Sequence, residues 1–476
     1  MEKEITLYRK AYNDLKKWKN KKNHLPLIIR GLRQIGKSFL AEKFAYENYD
    51  KNNVIVLDFR HNKNLDIIFS TNPLMSKPIL DQIIDNIKLM FPNKKIEKGK
   101  TCFVMDEIGD SKFAREYFKV FGSNSGYDII STGSLLGLSE IKGEPLNTPI
   151  GYEEYLDLKP LDFEEFLIAS GVSEDAINVL KKHAINNEEL NDTYANVFKS
   201  HLLRYIVVGG MPNAIKIYLE TGDLFEVRKY LNNLRKDYED DFGKYKDEKG
   251  NTKIDTTLLI RTIRAYRSIP DQLAKENSKF KYSQIQNGGR SSEFSDALAW
   301  LEKTDIIRRS HNLKSIELPL EGNAISDEFK VFPTDIGLLV SSYPFPIVEE
   351  IINDKLGAHK GAIYESLIAD FIYKAGLNLY YFSNTKKHFE IDFVVEENNS
   401  ISIIEAKSNN GKIVSSKNII NTEIGKNIKN VYKVLKNNFG KGDFYYSIPH
   451  YALPFLLQKI YEDTHHSLIL PEIEKI

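Results

Sequence analysis

Residues 27–38 constrain this chain more tightly than any other stretch. Leu27, Ile28 and Ile29 form an apolar run too short for a buried helix, so the run reads as a buried strand. Gly31 to Ser38 then reads G-L-R-Q-I-G-K-S, a full match to the phosphate-loop pattern G-x-x-x-x-G-K-[ST]. Phe39, Leu40, Phe44 and Ala45 continue at helical spacing. Strand, glycine loop and helix follow in the order the pattern requires. Gly31 and Gly36 let the backbone turn so that its N–H groups converge on phosphate oxygens, and the helix N-terminus adds partial positive charge. Lys37 would reach the β and γ phosphates and Ser38 would bind Mg²⁺. The expected nucleotide-binding set is Gly31, Arg33, Gln34, Ile35, Gly36, Lys37, Ser38 and Phe39, with ATP and Mg²⁺ as ligands.

Composition narrows the remaining classes. The 476 residues suffice for two to four domains. Lys plus Arg and Asp plus Glu both number 66, so the formal net charge is +0. Neutrality does not favour binding nucleic acid over the whole surface, although a local basic groove stays compatible with it. The single cysteine, Cys102, excludes an intramolecular disulfide framework and a Cys-based zinc site. No apolar run approaches a membrane span, and the charged N-terminus has no signal-peptide apolar region. The expectation is a cytoplasmic protein with no membrane partner.

Along the chain, Ile5, Tyr8, Tyr12, Leu15 and Trp18 recur at three- and four-residue steps and predict an amphipathic helix. Val54–Asp58 reads as a strand and Ile79–Met90 as a helix stopped by Pro92. Thr101–Glu107 is an apolar strand ending in two acids, the Walker B pattern. Asp106 would hold Mg²⁺ through water, and Glu107 would polarise the attacking water. Tyr127–Ser134 is another strand ending in hydroxyls, where Thr132 and Ser134 are either sensor groups for the nucleotide or parts of a Ser/Gly turn. From Asp162 to Leu234 the pattern is helical, stopped at Gly171 and broken at Gly209-Gly210, and reads as a lid after the nucleotide core. Arg204 there is either a sensor arginine or a partner of a surface acid. Helices leading into Ile306–Arg309 predict a winged-helix-like region that binds DNA or only packs.

These motifs, together with Ser-Thr-Gly-Ser-Leu-Leu-Gly137, Pro160-Leu-Asp-Phe-Glu-Glu-Phe166 and Gly209-Gly-Met-Pro212, resemble a prokaryotic family. Its members are AAA+-like ATPases with a C-terminal domain of unassigned function that resembles the PD-(D/E)xK nuclease fold. The resemblance covers nearly the whole chain and implies ATP binding. The expected fold class is α/β. Residues 1–160 would be the P-loop ATPase core, 161–245 the helical lid, 246–330 the winged-helix-like region and 331–476 the PD-(D/E)xK-like domain.

The C-terminal part carries a second candidate site. Phe389–Glu397 and Ser400–Lys407 read as two strands joined by a polar turn. If Glu396 opposes Ile401, Asp392 opposes Glu405, and Lys407 shares their face. Two carboxylates this close repel unless a cation sits between them, and Mg²⁺ suits such oxygens. Lys407 could orient or deprotonate a water attacking a phosphodiester. This is the D…ExK pattern, and Glu365 on the preceding helix matches its additional acid. The expected catalytic set is Lys37, Glu107, Glu365, Asp392, Glu405 and Lys407, with Ser38, Asp106, Asp392 and Glu405 at metals. His388 reads as structural.

Two functions follow from these expectations. One is an ATP-hydrolysing enzyme coupled to a nuclease-like domain that acts on nucleic acid, with DNA favoured. The other is a signalling or scaffold ATPase whose C-terminal domain only docks partners. AAA+-type enzymes often complete their site with a neighbour's arginine, so a homo-oligomer is compatible with either.

Overall fold

The computed structural model describes residues 5–111, 113–122, 125–134, 151–246, 252–275, 279–357, 359–384, 389–407 and 413–465. His388 and residues 135–137 of the family pattern lie outside them. The chain divides into two units, residues 1–160 with 237–263 and 292–306, and residues 161–236 with 264–291 and 307–476.

The first unit is built on five parallel strands: β1 (Leu27–Gly31), β2 (Val54–Asp58), β3 (Cys102–Asp106), β4 (Asp128–Ser134) and β5 (Glu154–Asp157). Their order is β2-β3-β4-β1-β5. Parallel strands are covered on both faces, so their sequences run apolar rather than alternating. Ile28, Ile55, Leu57, Phe103, Met105 and Ile129 accordingly join one buried core. The edge strand β5 alternates half-buried and exposed residues instead. Strand β4 lies between β1 and β3, which brings the C-terminal ends of the glycine-loop strand and the two-acid strand to the same side of the sheet. The helix expected from Ile5 begins only at Ala11 and runs to Asn20. Residues 5–9 are not helical, and Arg9 donates to the Ile35 carbonyl at 3.0 Å. The apolar steps at Ile5 and Tyr8 therefore lie on chain leading into the helix. A two-stranded ribbon, β6 (Lys244–Lys246) with β7 (Thr252–Ile254), belongs to the same unit.

The second unit opens with the helices expected for the lid, Phe163–Ala169, Glu174–Asn186, Asp192–Val208 and Pro212–Thr221. Its eight strands are β8 (Ile307–Leu313), β9 (Ala324–Pro333), β10 (Tyr380–Asn384), β11 (Phe389–Glu397), β12 (Ser400–Ala406), β13 (Ile428–Leu435), β14 (Gly440–Lys441) and β15 (Tyr446–Pro449). They form one sheet in the order β14-β15-β13-β12-β11-β10-β8-β9. The hairpin β8–β9, expected to close a region ending at residue 330, pairs through β8 with β10 and so extends the C-terminal sheet. The 330/331 boundary falls inside β9. The helix Lys360–Ala375 precedes β10, and the helix Val414–Ile420 carries the chain from β12 to the parallel β13.

A buried charge cluster ties this unit together. The Lys374 ammonium lies 3.0 Å from Asp335 Oδ2 and 2.9 Å from Asp370 Oδ1, and donates to the Tyr205 hydroxyl at 2.8 Å. Asp335 Oδ2 also accepts the Gly210 N–H at 2.7 Å, so the break between the helices Asp192–Val208 and Pro212–Thr221 is docked on this carboxylate. Burial pushes the Asp370 carboxyl up to about 6, against the pull of Lys374. Lys374→Met keeps the volume and strands two buried carboxylates. We expect a loss of about 3–5 kcal/mol in urea unfolding of the second unit at pH 7, with part of that loss recovered at pH 5 as Asp370 protonates.

Candidate nucleotide site and a second acidic site

The nucleotide site grows from the ends of β1, β3 and β4. A Cβ at Gly31 would come within 2.2 Å of the Leu158 carbonyl oxygen, so only glycine lets β1 pass into the loop here. Gly36 caps the following helix, Lys37–Asn48, at φ 85° in the left-handed region. Lys37 is buried, and its Nζ donates to the Gly31 and Leu32 carbonyls at 3.2 and 2.7 Å. Burial pulls its pKa down to about 8, with Glu107 opposing.

Ser38 Oγ donates to Asp106 Oδ1 at 2.6 Å, and Thr132 Oγ1 donates to the same oxygen. Thr132 Oγ1 also accepts the Glu107 N–H at 3.0 Å. The two motifs are therefore joined by one carboxylate oxygen, with Thr132 as the brace. Ser134 is buried and pairs with Gly31 across the strands. Glu107 holds φ 49°, a left-handed conformation uncommon for a glutamate and a form of backbone strain that concentrates at functional sites.

Two contacts were not visible in the sequence. Arg60, just beyond β2, places Nη2 3.0 Å from Glu107 Oε1 and Nε 3.5 Å from Asp110 Oδ2. Only the parallel pairing of β2 with β3, Asp58 opposite Asp106, brings it there. Arg33 reaches Asp241 rather than the loop interior, and the Tyr238 hydroxyl donates to the Arg33 carbonyl at 3.1 Å. Gly31, Arg33, Ser134, Tyr238, Asp241 and Trp300 line a crevice beside the loop. Gln34 takes φ 64°, Ile35 is fully buried, and the Phe39 ring is half exposed.

Residues 23–167 match the family model described as AAA domain. This stretch is a P-loop domain of the AAA type. Residues 199–345 and 360–451 match two further models, each described only as a domain of unknown function (DUF8612 and DUF4143). No curated protein matches the chain. Among solved structures, the chain is similar to the Aeropyrum pernix ORC1 protein in complex with DNA, with 11% identity over 74% of this chain and 94% of that one and a TM-score of 0.27. It is similar to the Thermotoga maritima RuvB Holliday junction branch migration motor, with 14% identity over 64% and 90% and a TM-score of 0.27. It is also similar to AMPPCP-bound DnaA from Aquifex aeolicus, with 13% identity over 62% and 87% and a TM-score of 0.28. Likenesses this loose carry no inference about the present chain. No described helix is long and apolar enough to cross a membrane.

The DUF4143 segment holds the second set of predicted residues. Strands β11 and β12 pair with Glu396 opposite Ile401 and Phe393 opposite Ile404, the register that sets Asp392 across from Glu405. Asn398 and Asn399 both take positive φ, as a tight two-residue hairpin turn requires. Lys407 Nζ lies 3.1 Å from Glu405 Oε2 and 3.6 Å from Asp392 Oδ2, between the two acids. Asp392 Oδ2 accepts the Ala406 N–H at 2.8 Å, and Ser416 Oγ donates to Glu405 Oε1. Burial, with Asp392 adding to it, pushes the Glu405 carboxyl up to about 7.

Glu365 has a partner that the sequence pattern did not reveal. Lys330 on β9 is buried, with Nζ 2.6 Å from Glu365 Oε1 and 3.7 Å from Glu390 Oε1. Burial disfavours its charge, but Glu365 and Asp392 together hold its pKa above the usual lysine value. Among the described residues no group of three or more His, Cys, Asp and Glu side chains is arranged to hold a metal ion. Asp392 and Glu405 offer paired hard oxygens, and each is already in contact with Lys407.

The buried Lys37 gives a pH signature. Its pKa near 8 in the free protein rises when phosphate oxygens surround it. ATP binding at pH 8 should therefore take up about half a proton and at pH 6.5 almost none. Calorimetry in buffers of different ionisation enthalpy measures the uptake directly, and the uptake should fall steadily as the pH is lowered from 8 to 6.5.

Proposed function

We propose that this protein binds and hydrolyses ATP with Mg²⁺ at the phosphate loop and couples that turnover to a C-terminal site acting on nucleic-acid phosphodiesters. The reading rests first on one observation: Ser38 and Thr132 converge on Asp106 Oδ1 while Lys37 lies buried within the loop.

Each residue then has a task. Loop amides and Lys37 bind the β and γ phosphates and neutralise charge that builds there. Ser38 and Asp106 form a hard-oxygen pair suited to Mg²⁺, whose presence would add a Lewis-acidic charge at the phosphates. Glu107 accepts hydrogen bonding from the attacking water and aligns it. Arg60 must release Glu107 Oε1 for this, since the two are in contact. Thr132 keeps Asp106 and the Glu107 backbone in place.

At the second site, Asp392 and Glu405 would hold a divalent cation and Lys407 would orient the attacking water. What supports this is the helix–three-strand–helix–strand order, the hairpin register and the buried Glu405. A docking role without cleavage is the second reading. It is favoured by the two lysines, Lys330 and Lys407, that already balance the acids.

Lys37→Ala should abolish ATP binding. Glu107→Gln should keep binding within about threefold and lower turnover by about 10²–10⁴-fold, and normal turnover in that variant removes Glu107 from the mechanism. Plasmid nicking in Mg²⁺ or Mn²⁺ that disappears in Glu405→Ala supports the phosphodiester reading. Equal background nicking in both proteins supports docking.

A further inference from the structure

The sheet face that carries Asp392 and Glu405 continues across β10, β8 and β9. Glu390, two residues before Asp392 on β11, is opposite Ser383 on β10. Tyr381, two before Ser383, is opposite Asn312 on β8, and Ser310, two before Asn312, is opposite Lys330 on β9. Lys330, Tyr381, Glu390, Asp392, Glu405 and Lys407 therefore share one face. Glu365 reaches it from the helix Lys360–Ala375.

On this face Asp392 acts on two ammonium groups. Lys407 lies 3.6 Å from its Oδ2 and also contacts Glu405. Lys330 contacts Glu365 and Glu390; burial works against its charge, and Glu365 and then Asp392 oppose that loss. The two lysines differ in exposure. The Lys407 side chain is 27% exposed, so an incoming cation can displace it toward solvent. That of Lys330 is 2% exposed, with Nζ 5.1 Å from the centre of the Tyr381 ring, and withdrawing it would strand the acids around it.

A second observation comes from Tyr381. The residue is fully buried, and its hydroxyl has no hydrogen-bond partner among the described residues. Buried polar groups almost always have one. Burial raises its pKa most, Lys330 opposes the rise, and Glu328, Glu390 and Glu365 add to it, which puts the hydroxyl among these charges. A hydrated metal ion held by the same acids would bring a water to that oxygen, which the ammonium does not satisfy. The Glu390 side chain is half exposed and can close its 3.7 Å gap to the Lys330 position.

We propose that Lys330 is a built-in cation: it takes, among Glu365, Glu390 and Asp392, the place that a second metal ion would occupy, and so limits this face to one divalent ion, at Asp392 and Glu405. Glu365, the additional acid of the D…ExK pattern, is then a partner of the lysine and not a metal ligand. The ion at Asp392 and Glu405 rests on the proposed function; the place of Lys330 does not.

The test counts Mn²⁺, an ion suited to carboxylates, bound per full chain without nucleotide. The loss of the free-ion signal in electron paramagnetic resonance gives the count. Lys330→Met and Lys330→Gln should each bind one Mn²⁺ more than the unchanged chain, and ions held elsewhere, at the phosphate loop included, cancel in that difference. The gained ion should disappear when Glu365→Gln is added. Glu365→Gln alone should leave the count of the unchanged chain as it was. A count in the unchanged chain that is indifferent to Glu405→Gln removes the metal proposed at Asp392 and Glu405. The built-in cation still stands in that case if the Lys330 variants gain their ion. Variants that gain none, that keep the gained ion with Glu365→Gln, or that stay unfolded by circular dichroism with Mn²⁺ present overturn the proposal. An ion lost from the unchanged chain by Glu365→Gln alone overturns it as well.

Discussion

One carboxylate oxygen, Asp106 Oδ1, carries the organisation of the first unit. It accepts from Ser38 on the helix after the glycine loop and from Thr132 on β4. Those hydroxyls come from stretches 94 residues apart in the chain. They meet only because β4 inserts between β1 and β3, so that three strands end together. Ligands of open parallel sheets bind outside such carboxyl ends. The fold thus supplies the place, and the paired hydroxyls fix the orientation of the carboxylate.

The same region stores strain and charge. Glu107 sits in a left-handed backbone conformation, and Arg60 holds its carboxylate. Lys37, buried among loop carbonyls, is held near its own titration range. The left-handed backbone at Glu107 and the burial of the Lys37 ammonium each cost free energy. Phosphate oxygens placed around Lys37 would return it to full charge.

Much of the first unit was legible because its signals are local. A glycine loop between strand and helix, and an apolar strand ending in two acids, are read within a dozen residues. The span Ile79–Met90 emerged as a helix with those bounds. What the sequence hid came from pairing between distant segments. Arg60 reaches Glu107 through strand register, and Arg33 finds Asp241, which is 208 residues away. The helix predicted from Ile5 failed at its first turn because apolar spacing persists where the backbone is no longer helical. In the second unit, the hairpin placing Asp392 against Glu405 was legible from its polar turn. Lys330 was not, because β9 lies four places from β12 in the sheet and nothing in its own sequence marks Lys330 as buried.

Lys330 changes how the second site should be understood. Three carboxylates, Glu365, Asp392 and Glu405, would be untenable side by side if all were ionised and bare. The chain meets this with two lysines and partial protonation, since Glu405 is pushed up to about 7. Glu365 is engaged by Lys330, so any cation has to compete for Asp392 and Glu405 alone, and there it must displace Lys407. On the proposed reading, a cation would bind a site balanced in this way only where a substrate phosphate contributed further oxygens. Under that reading, metal affinity and substrate affinity at this rim would form one linked equilibrium.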